Sequence, residues 1–206
     1  MNKNSYYSKH YIIDKKRFDL HYAMFFSNPA EKILDVGCSV GNFLVHCSRK
    51  SWGVDIDNSQ LEIARKRGLN ARQCDLNSRF PFCNNTFDAV NCTSVLEHMK
   101  DPLNCLMEIR RVLKPGGKLI LRTPNAKYWK FRMFEDYTHK YYPTKESLEM
   151  MCIDAGFKSF EIKYIKHGMF GARKLFNAGV NPSFIRRMML FFALFRKNNL
   201  LLKAYK

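Results

Sequence analysis

Lys32-Ile-Leu-Asp-Val-Gly-Cys-Ser-Val-Gly41 is the stretch whose reading decides the fold. An apolar-biased run enters a turn of small residues with Asp35 at its start, and an apolar, helix-compatible segment from Asn42 to Cys47 follows. A buried strand that feeds a helix through a glycine turn is how open α/β sheets bring backbone N–H groups close to a ligand. The stretch therefore predicts a small-molecule site at the end of the first strand. Aspartate at the bend argues against a phosphate ligand, since a carboxylate repels pyrophosphate but suits a cationic amino acid portion.

Working outward, short apolar runs alternate with amphipathic segments, the pattern of a βαβ series. Strands are expected over Lys32–Cys38, Trp52–Ile56, Ala71–Cys74, Phe87–Cys92, Lys118–Arg122, Phe160–Ile165 and Leu200–Ala204. Helices are expected over 10–27, where Phe18, Tyr22, Phe25 and Phe26 share a face, and over Gly41–Arg49. Another starts at an Asn58 or Ser59 cap, with Asp57 a competing cap, and stops near Gly68. Pro102 opens a helix through Leu113 that Lys-Pro-Gly-Gly ends, and Thr144 caps one running to Ala155. The expected fold class is α/β: a Rossmann-like, seven-stranded, mostly parallel sheet with helices on both faces. The chain reads as a single domain, 1–206. Within it, 1–31 form a helical cap, 32–125 the ligand-binding core, and 126–206 a lid and the last strands around a basic insertion at 166–197.

Three acids sit at three successive strand ends: Asp35, Asp55 and Asp75. Asp55 lies about twenty residues beyond the turn, where a carboxylate receives the two hydroxyls of a ribose. Asp75 is placed to accept from an adenine amino group, with Leu76 beside the ring. Gly37-Cys-Ser39-Val-Gly41 also spells the nucleophile elbow of serine hydrolases. Only about thirty residues precede it, however, whereas such an elbow sits deep in its sheet, and the acid series would go unexplained. A dinucleotide site is disfavoured because G-x-G-x-x-G is absent.

The segments ILDVGCSVGNF, WGVDIDNSQLEIAR, CDL, FDAVNCTSVLEHMKDP and VLKPGGKLILRTPN, in this order and spacing, resemble class I S-adenosylmethionine-dependent methyltransferases. The similarity is greatest to the small-molecule branch that includes the ubiquinone and menaquinone enzymes. It spans 32–125, and DYTHKYYPTKESLEMMCIDAGF resembles the region after strand five in that branch. The resemblance implies S-adenosyl-L-methionine as cofactor, with Asp35, Gly37 and Gly41 at its methionine end and Cys38 and Ser39 in the same turn. It implies Asp55 at the ribose, Asp75 and Leu76 at the adenine, and Cys92, Thr93 and Ser94 lining the methyl-donor pocket, with Ile56 also among the cofactor-binding residues. It also implies a seventh strand running antiparallel between the fifth and sixth. His98 and His139 are the candidate bases, and no metal is expected.

Thirty-five Lys and Arg against 18 Asp and Glu give a net charge of +17, and 158–206 hold eleven Lys and Arg against Glu161. Such asymmetry suggests a polyanionic neighbour. Basic flanks and two Phe pairs in 182–197 suit an interfacial helix on an anionic membrane surface, with a core or dimer helix as the plainer reading. Seven scattered cysteines without a C-x-x-C pair predict free thiols rather than zinc ligands or a disulfide framework. The N-terminus lacks a signal-peptide pattern, so a cytoplasmic location is expected, with peripheral membrane contact through that helix. A small or lipid-linked acceptor is expected, an RNA acceptor or a non-catalytic cofactor-binding subunit being the alternatives. The oligomeric state is not legible in the sequence.

Overall fold

The computed structural model describes residues 13, 18–26, 28–165, 172–192 and 198–206. Helix α1 (Asp19–Phe25) precedes β1 (Ile33–Val36), β2 (Trp52–Asp55), α2 (Asn58–Lys66), β3 (Ala71–Gln73) and β4 (Phe87–Thr93). Helix α3 (Pro102–Val112), β5 (Leu113–Pro124), α4 (Ala126–Trp129), α5 (Lys145–Asp154) and β6 (Ser159–Ile165) follow. Helices α6 (Ala172–Asn177) and α7 (Pro182–Phe192) and strand β7 (Asn199–Tyr205) complete the described elements.

The strands form one seven-stranded sheet in the order β3-β2-β1-β4-β5-β7-β6. β7 runs antiparallel to both its neighbours, and the other pairs are parallel. This is the expected Rossmann-like sheet, including the seventh strand lodged between the fifth and sixth. Chain order reverses direction between β1 and β4, so a crevice opens beyond their carboxyl ends, where open α/β sheets bind ligands.

Alternation along the strands supplies a core for each face. Leu34, Val36, Val90, Cys92, Leu119, Leu121, Leu200 and Leu202 join one cluster with Cys105, Leu106 and Ile109 of α3 and Leu148 and Cys152 of α5. Ile33, Ala89, Ile120 and Leu201 face the other way, against Phe26, Phe43, Ala172, Ile185 and Met189. Helix starts follow local chemistry. Asp57, rather than Asn58 or Ser59, caps α2 by accepting from the Ser59 amide; Asp101 caps α3 with Pro102 in the first turn. Thr144 and Ser147 form a capping box at α5.

Two expected boundaries are corrected. The helix expected over Gly41–Arg49 is only a 3-10 turn, Leu44–His46. The Arg67 guanidinium donates to the Val40 carbonyl, a backbone acceptor at the start of that turn, while the Ser48 hydroxyl at its end ties back to the Glu31 carbonyl at 2.8 Å. The fifth strand starts at Leu113, ahead of Lys-Pro-Gly-Gly. Its register jumps from Phe87↔Leu113 to Ala89↔Lys118, so those residues are extruded as a bulge instead of forming a stop.

Helix α7 resolves the reading of the basic insertion over its described part. Ile185 is fully buried and Met189 nearly so, both in the cluster beneath α1, and Arg186 lies over the Phe25 ring at 5.9 Å. Its apolar face is spent on the core, as the plainer reading has it; Phe184 and Phe191 stay exposed. Residues 193–197 of the expected membrane segment, and those of the expected first helix before Phe18 other than Ile13, lie outside the described residues. Replacing Ile185 by Ala is expected to cost about 2–5 kcal/mol in urea denaturation, the range for an aliphatic side chain removed from a packed core; a cost near zero would return the helix to the surface.

Candidate active site

The turn after β1 owes its shape to three left-handed backbones. Gly37, Ser39 and Gly41 have φ of 74°, 51° and 79°. At Gly37 an added Cβ would lie 2.3 Å from Cγ2 of Val95, and at Gly41 2.4 Å from Cδ1 of Leu69. Gly41 is therefore required for packing on the α2 side, and Gly37 for the approach of the turn that follows β4. Ser39 holds a conformation uncommon for a residue with a side chain. Its amide donates to Asp55 Oδ2 at 2.9 Å and its hydroxyl to Gln60 Oε1. That pairing with an amide rather than a histidine removes the hydrolase elbow.

Asp55 accepts one backbone N–H on each oxygen, from Ser39 and from Asp57 (3.0 Å). A carboxylate has about four acceptor positions, so capacity for two ribose hydroxyls remains. Burial raises its pKa, with the backbone donors pulling the other way. Ile56 beside it is exposed and can cover a ring face. Asp75 is exposed, and Asn77 donates twice to its Oδ1, which keeps its pKa below the usual carboxylate range. The side chains of Cys38, Leu76 and Cys92 point into packed clusters, which leaves only their backbones to meet a ligand. Thr93 donates to Asn91, and Ser94, at φ 55°, is exposed at the strand end.

Asp35 belongs to a buried polar chain that the sequence reading missed. It pairs in register with Asn91 of β4. Asn91 Nδ2 donates to Asp35 Oδ1 at 2.7 Å, and Asn91 Oδ1 accepts from His21 Nε2–H of α1 at 2.9 Å. Burial, with the positive charge of Arg122 adding to it, holds His21 neutral and its pKa down at about 3. Burial also pushes Asp35 up to about 7 despite the Asn91 bond, with Asp55 adding to the rise. A polar residue in the middle of the apolar run Phe87–Cys92 was the available signal, because a buried amide needs partners.

The two candidate histidines do meet. His98 sits in the 3-10 turn Leu96–His98 after β4, and His139 in the connection after α4; their ring centroids are 5.0 Å apart. Amides of Lys140 and Tyr141 donate to the Glu97 carbonyl at 2.8 and 3.0 Å, tying the two segments together. Glu97, which the sequence reading gave no role, is 2% exposed and accepts from Thr123 Oγ1 at 2.9 Å. Burial pushes its pKa to about 7 and lowers that of His98. Val95, two residues before Glu97, is the side chain pressed on Gly37, so the ligand turn and this cluster share one corner of the crevice.

A doubly wound sheet with strand-end acids and a glycine turn at its switch point defines a nucleoside-binding α/β domain. Residues 34–121 match the family described as "Methyltransferase domain". An archaeal structure titled as a SAM-dependent methyltransferase, from Archaeoglobus fulgidus, superposes with TM-score 0.65 at 19% identity, covering 93% of this chain and 92% of its own. The Desulfotalea psychrophila ubiquinone/menaquinone biosynthesis C-methyltransferase is 37% identical over 109 residues, 48% of this chain and 44% of that protein. The Homo sapiens protein named "Probable tRNA methyltransferase 9B" is 36% identical over 97 residues, 45% of this chain and 21% of its own. The chain thus spans less than half the length of these curated relatives. Residues 34–121 carry the likeness to the methyltransferase domain, whose methyl donor is S-adenosyl-L-methionine, and the chain shares the fold of solved S-adenosylmethionine-dependent methyltransferases. The site fits the donor: Asp55 has acceptor capacity for a ribose, Ile56 an exposed face, and Asp35 a carboxyl that a cationic ligand would help ionise.

Two outcomes are expected. Asp55→Ala should weaken S-adenosylmethionine binding at least about tenfold in calorimetry, the scale of losing hydrogen bonds to a charged group; unchanged affinity would contradict the ribose role. Asp35 carries a sign that can be checked. Its folded pKa of about 7 lies above the unfolded value near 3.8, so the folded state keeps a proton that the unfolded state has lost. Ligand-free stability should therefore rise as pH falls from 8 to 6.5, before the depressed His21 begins to oppose it. Asp35→Asn should reduce that slope in thermal melts, the remainder coming from Glu97, which burial also pushes to about 7, and raise the melting temperature at pH 8.

Proposed function

We propose that this chain transfers a methyl group from S-adenosylmethionine to a hydroxyl of a small amphiphilic or lipid-linked acceptor met at a membrane surface. In this reading 32–125 hold the cofactor and 126–206 shape the acceptor side. The sulfonium carbon is attacked in line by the acceptor oxygen, the C–S bond breaks with its electron pair going to sulfur, and the acceptor proton is lost. A cationic donor needs little activation, so alignment within the crevice does most of the work. His98 and His139 are proposed to accept the proton, and burial keeps His98 in its neutral, proton-accepting form near neutral pH.

The observation that carries the acceptor class is the surface of the connection holding His139. Phe131, Phe134 and Tyr137 are 85%, 62% and 74% exposed, with Lys127, Lys130, Arg132 and Lys140 interleaved. Aromatics this exposed, flanked by Lys and Arg beside a candidate site, are the chemistry of an interfacial contact. The membrane-facing surface is thus assigned to 127–142 in preference to α7. Among the described residues, no helix is long and apolar enough to cross a membrane. RNA remains the alternative polyanion, favoured by the net charge and by the likeness to a protein named as a probable tRNA methyltransferase.

Co-sedimentation with vesicles containing phosphatidylglycerol tests this directly. The Phe131→Ser, Phe134→Ser double variant is expected to lose at least about tenfold in partitioning, since burying one Phe is worth about 1.5–3 kcal/mol. Equal partitioning of variant and wild type, or a salt-sensitive shift of RNA without vesicle binding, would overturn the acceptor class.

A further inference from the structure

We propose that Glu97, His98 and His139 form a binding site for one divalent transition-metal ion, which would bind the acceptor hydroxyl and lower its pKa. The role of the ion rests on the methyl-transfer reading; the binding site does not. Each of the three residues offers one donor atom, and these atoms lie within 4.8 Å of one another. Ligand atoms bound at about 2.0–2.2 Å lie closer together than that, so closing the set needs side-chain rotations worth roughly an ångström.

Two independent features point to an ion. The first is the charge. Glu97 is 2% exposed, accepts from the neutral Thr123 hydroxyl and, among the described residues, closes no ion pair, with His139 and Arg122 the nearby positive charges that favour its ionised form. Buried carboxylates are ordinarily paired with a cation or coordinate a metal. The second is what lies behind the rings. The His139 Nδ1–H donates to the Met133 carbonyl at 2.8 Å, which turns Nε2 toward the site, where the Asp136 carboxylate lies 3.7 Å away and competes with an ion for that nitrogen. Thr138 Oγ1 donates its one proton to Asp136 Oδ1 at 2.6 Å and so accepts from His98 Nδ1–H at 2.9 Å. This places the His98 lone pair on Nε2. A carbonyl behind one ring and a carboxylate-backed hydroxyl behind the other are how proteins orient metal-binding imidazoles.

The donor set narrows the ion. Two imidazoles and one carboxylate suit Mn²⁺, Fe²⁺, Co²⁺ or Zn²⁺, whereas Mg²⁺ and Ca²⁺ prefer oxygen donors throughout. Three protein ligands leave coordination positions open, the arrangement of a catalytic rather than a structural metal. An acceptor hydroxyl in an open position would shed its proton to water more readily, and its oxygen would then attack the sulfonium carbon. In the metal-loaded protein the histidines would hold the ion and the proton would pass to water; the proton-accepting role proposed above belongs to the metal-free protein. The absence of Cys-type spacing, on which the sequence expectation of no metal rested, is silent about ligands drawn from positions 97, 98 and 139.

The test is calorimetric titration of chelator-stripped, untagged full-length protein with Mn²⁺ and Zn²⁺, alongside S-adenosylmethionine titration of the same sample. One equivalent of metal is expected to bind, His139→Ala to abolish that binding, and Thr138→Val to weaken it about 10–100-fold by freeing the His98 ring. Wild-type protein with Co²⁺ should show visible absorption bands that excess Zn²⁺ removes, which needs no variant to fold. Absence of saturable uptake, or uptake that His139→Ala and Glu97→Gln both leave unchanged, overturns the metal site. Metal uptake without S-adenosylmethionine binding in the wild type would instead sink the methyl-transfer reading while leaving the site standing.

Discussion

The contact of Val95 with Gly37 is the constraint on which the rest of the site depends. β1 and β4 are neighbours in the sheet, yet the chain leaves them in opposite directions. The turns beyond their carboxyl ends must therefore pass each other in a narrow space. Only a residue without a Cβ lets the Val95 side chain close that space, since an alanine at 37 would bring carbon atoms to 2.3 Å. Closure fixes where the chain goes next: Leu96 into the core, Glu97 beneath Thr123, and His98 toward His139. One packing requirement sets the distance between a nucleoside turn and a cluster of groups able to bind protons or metal.

Charge organises the crevice around that contact. Asp35 is held beneath α1, away from water, by Asn91 and a neutral His21. Asp55 uses both oxygens to brace the turn, and Asp75 stands in solvent. Three acids of the same type are therefore in three environments. The buried one is poised near neutrality, so that a cationic ligand gains most by ionising it, while the exposed one stays charged at every pH of interest. The surface beyond is different again, with exposed Phe and Tyr alternating with Lys and Arg around the acceptor side.

Much of the fold was legible because strand ends and glycine turns are local facts. The order of the sheet, including the antiparallel seventh strand, came from the family resemblance of the segments between Ile33 and Asn125. The missing helix after Gly41 was not legible, because Arg67, far along the chain, takes the Val40 carbonyl at the start of that segment. Asp55 ends β2, the position from which its ribose role was read, and Ile56 follows it with an exposed side chain. Leu76 and Cys92 came from the family resemblance and Cys38 from its place in the turn, and all three side chains pack into apolar clusters, Cys92 through strand alternation and the other two just beyond their strands. Glu97, Asn91 and His21 escaped notice since each has meaning only through a partner between 26 and 70 residues away.

The central claim is that the tips of β1, β2 and β3 hold an adenosyl nucleoside with its sulfur turned toward the Val95–His98 turn. A crystal structure of the protein with S-adenosylhomocysteine tests it most directly. The account predicts both ribose hydroxyls on Asp55, the base against Ile56, and the sulfur facing the corner shared by Gly37 and Val95. A ribose bound elsewhere, or a sulfur directed away from that corner, would contradict it.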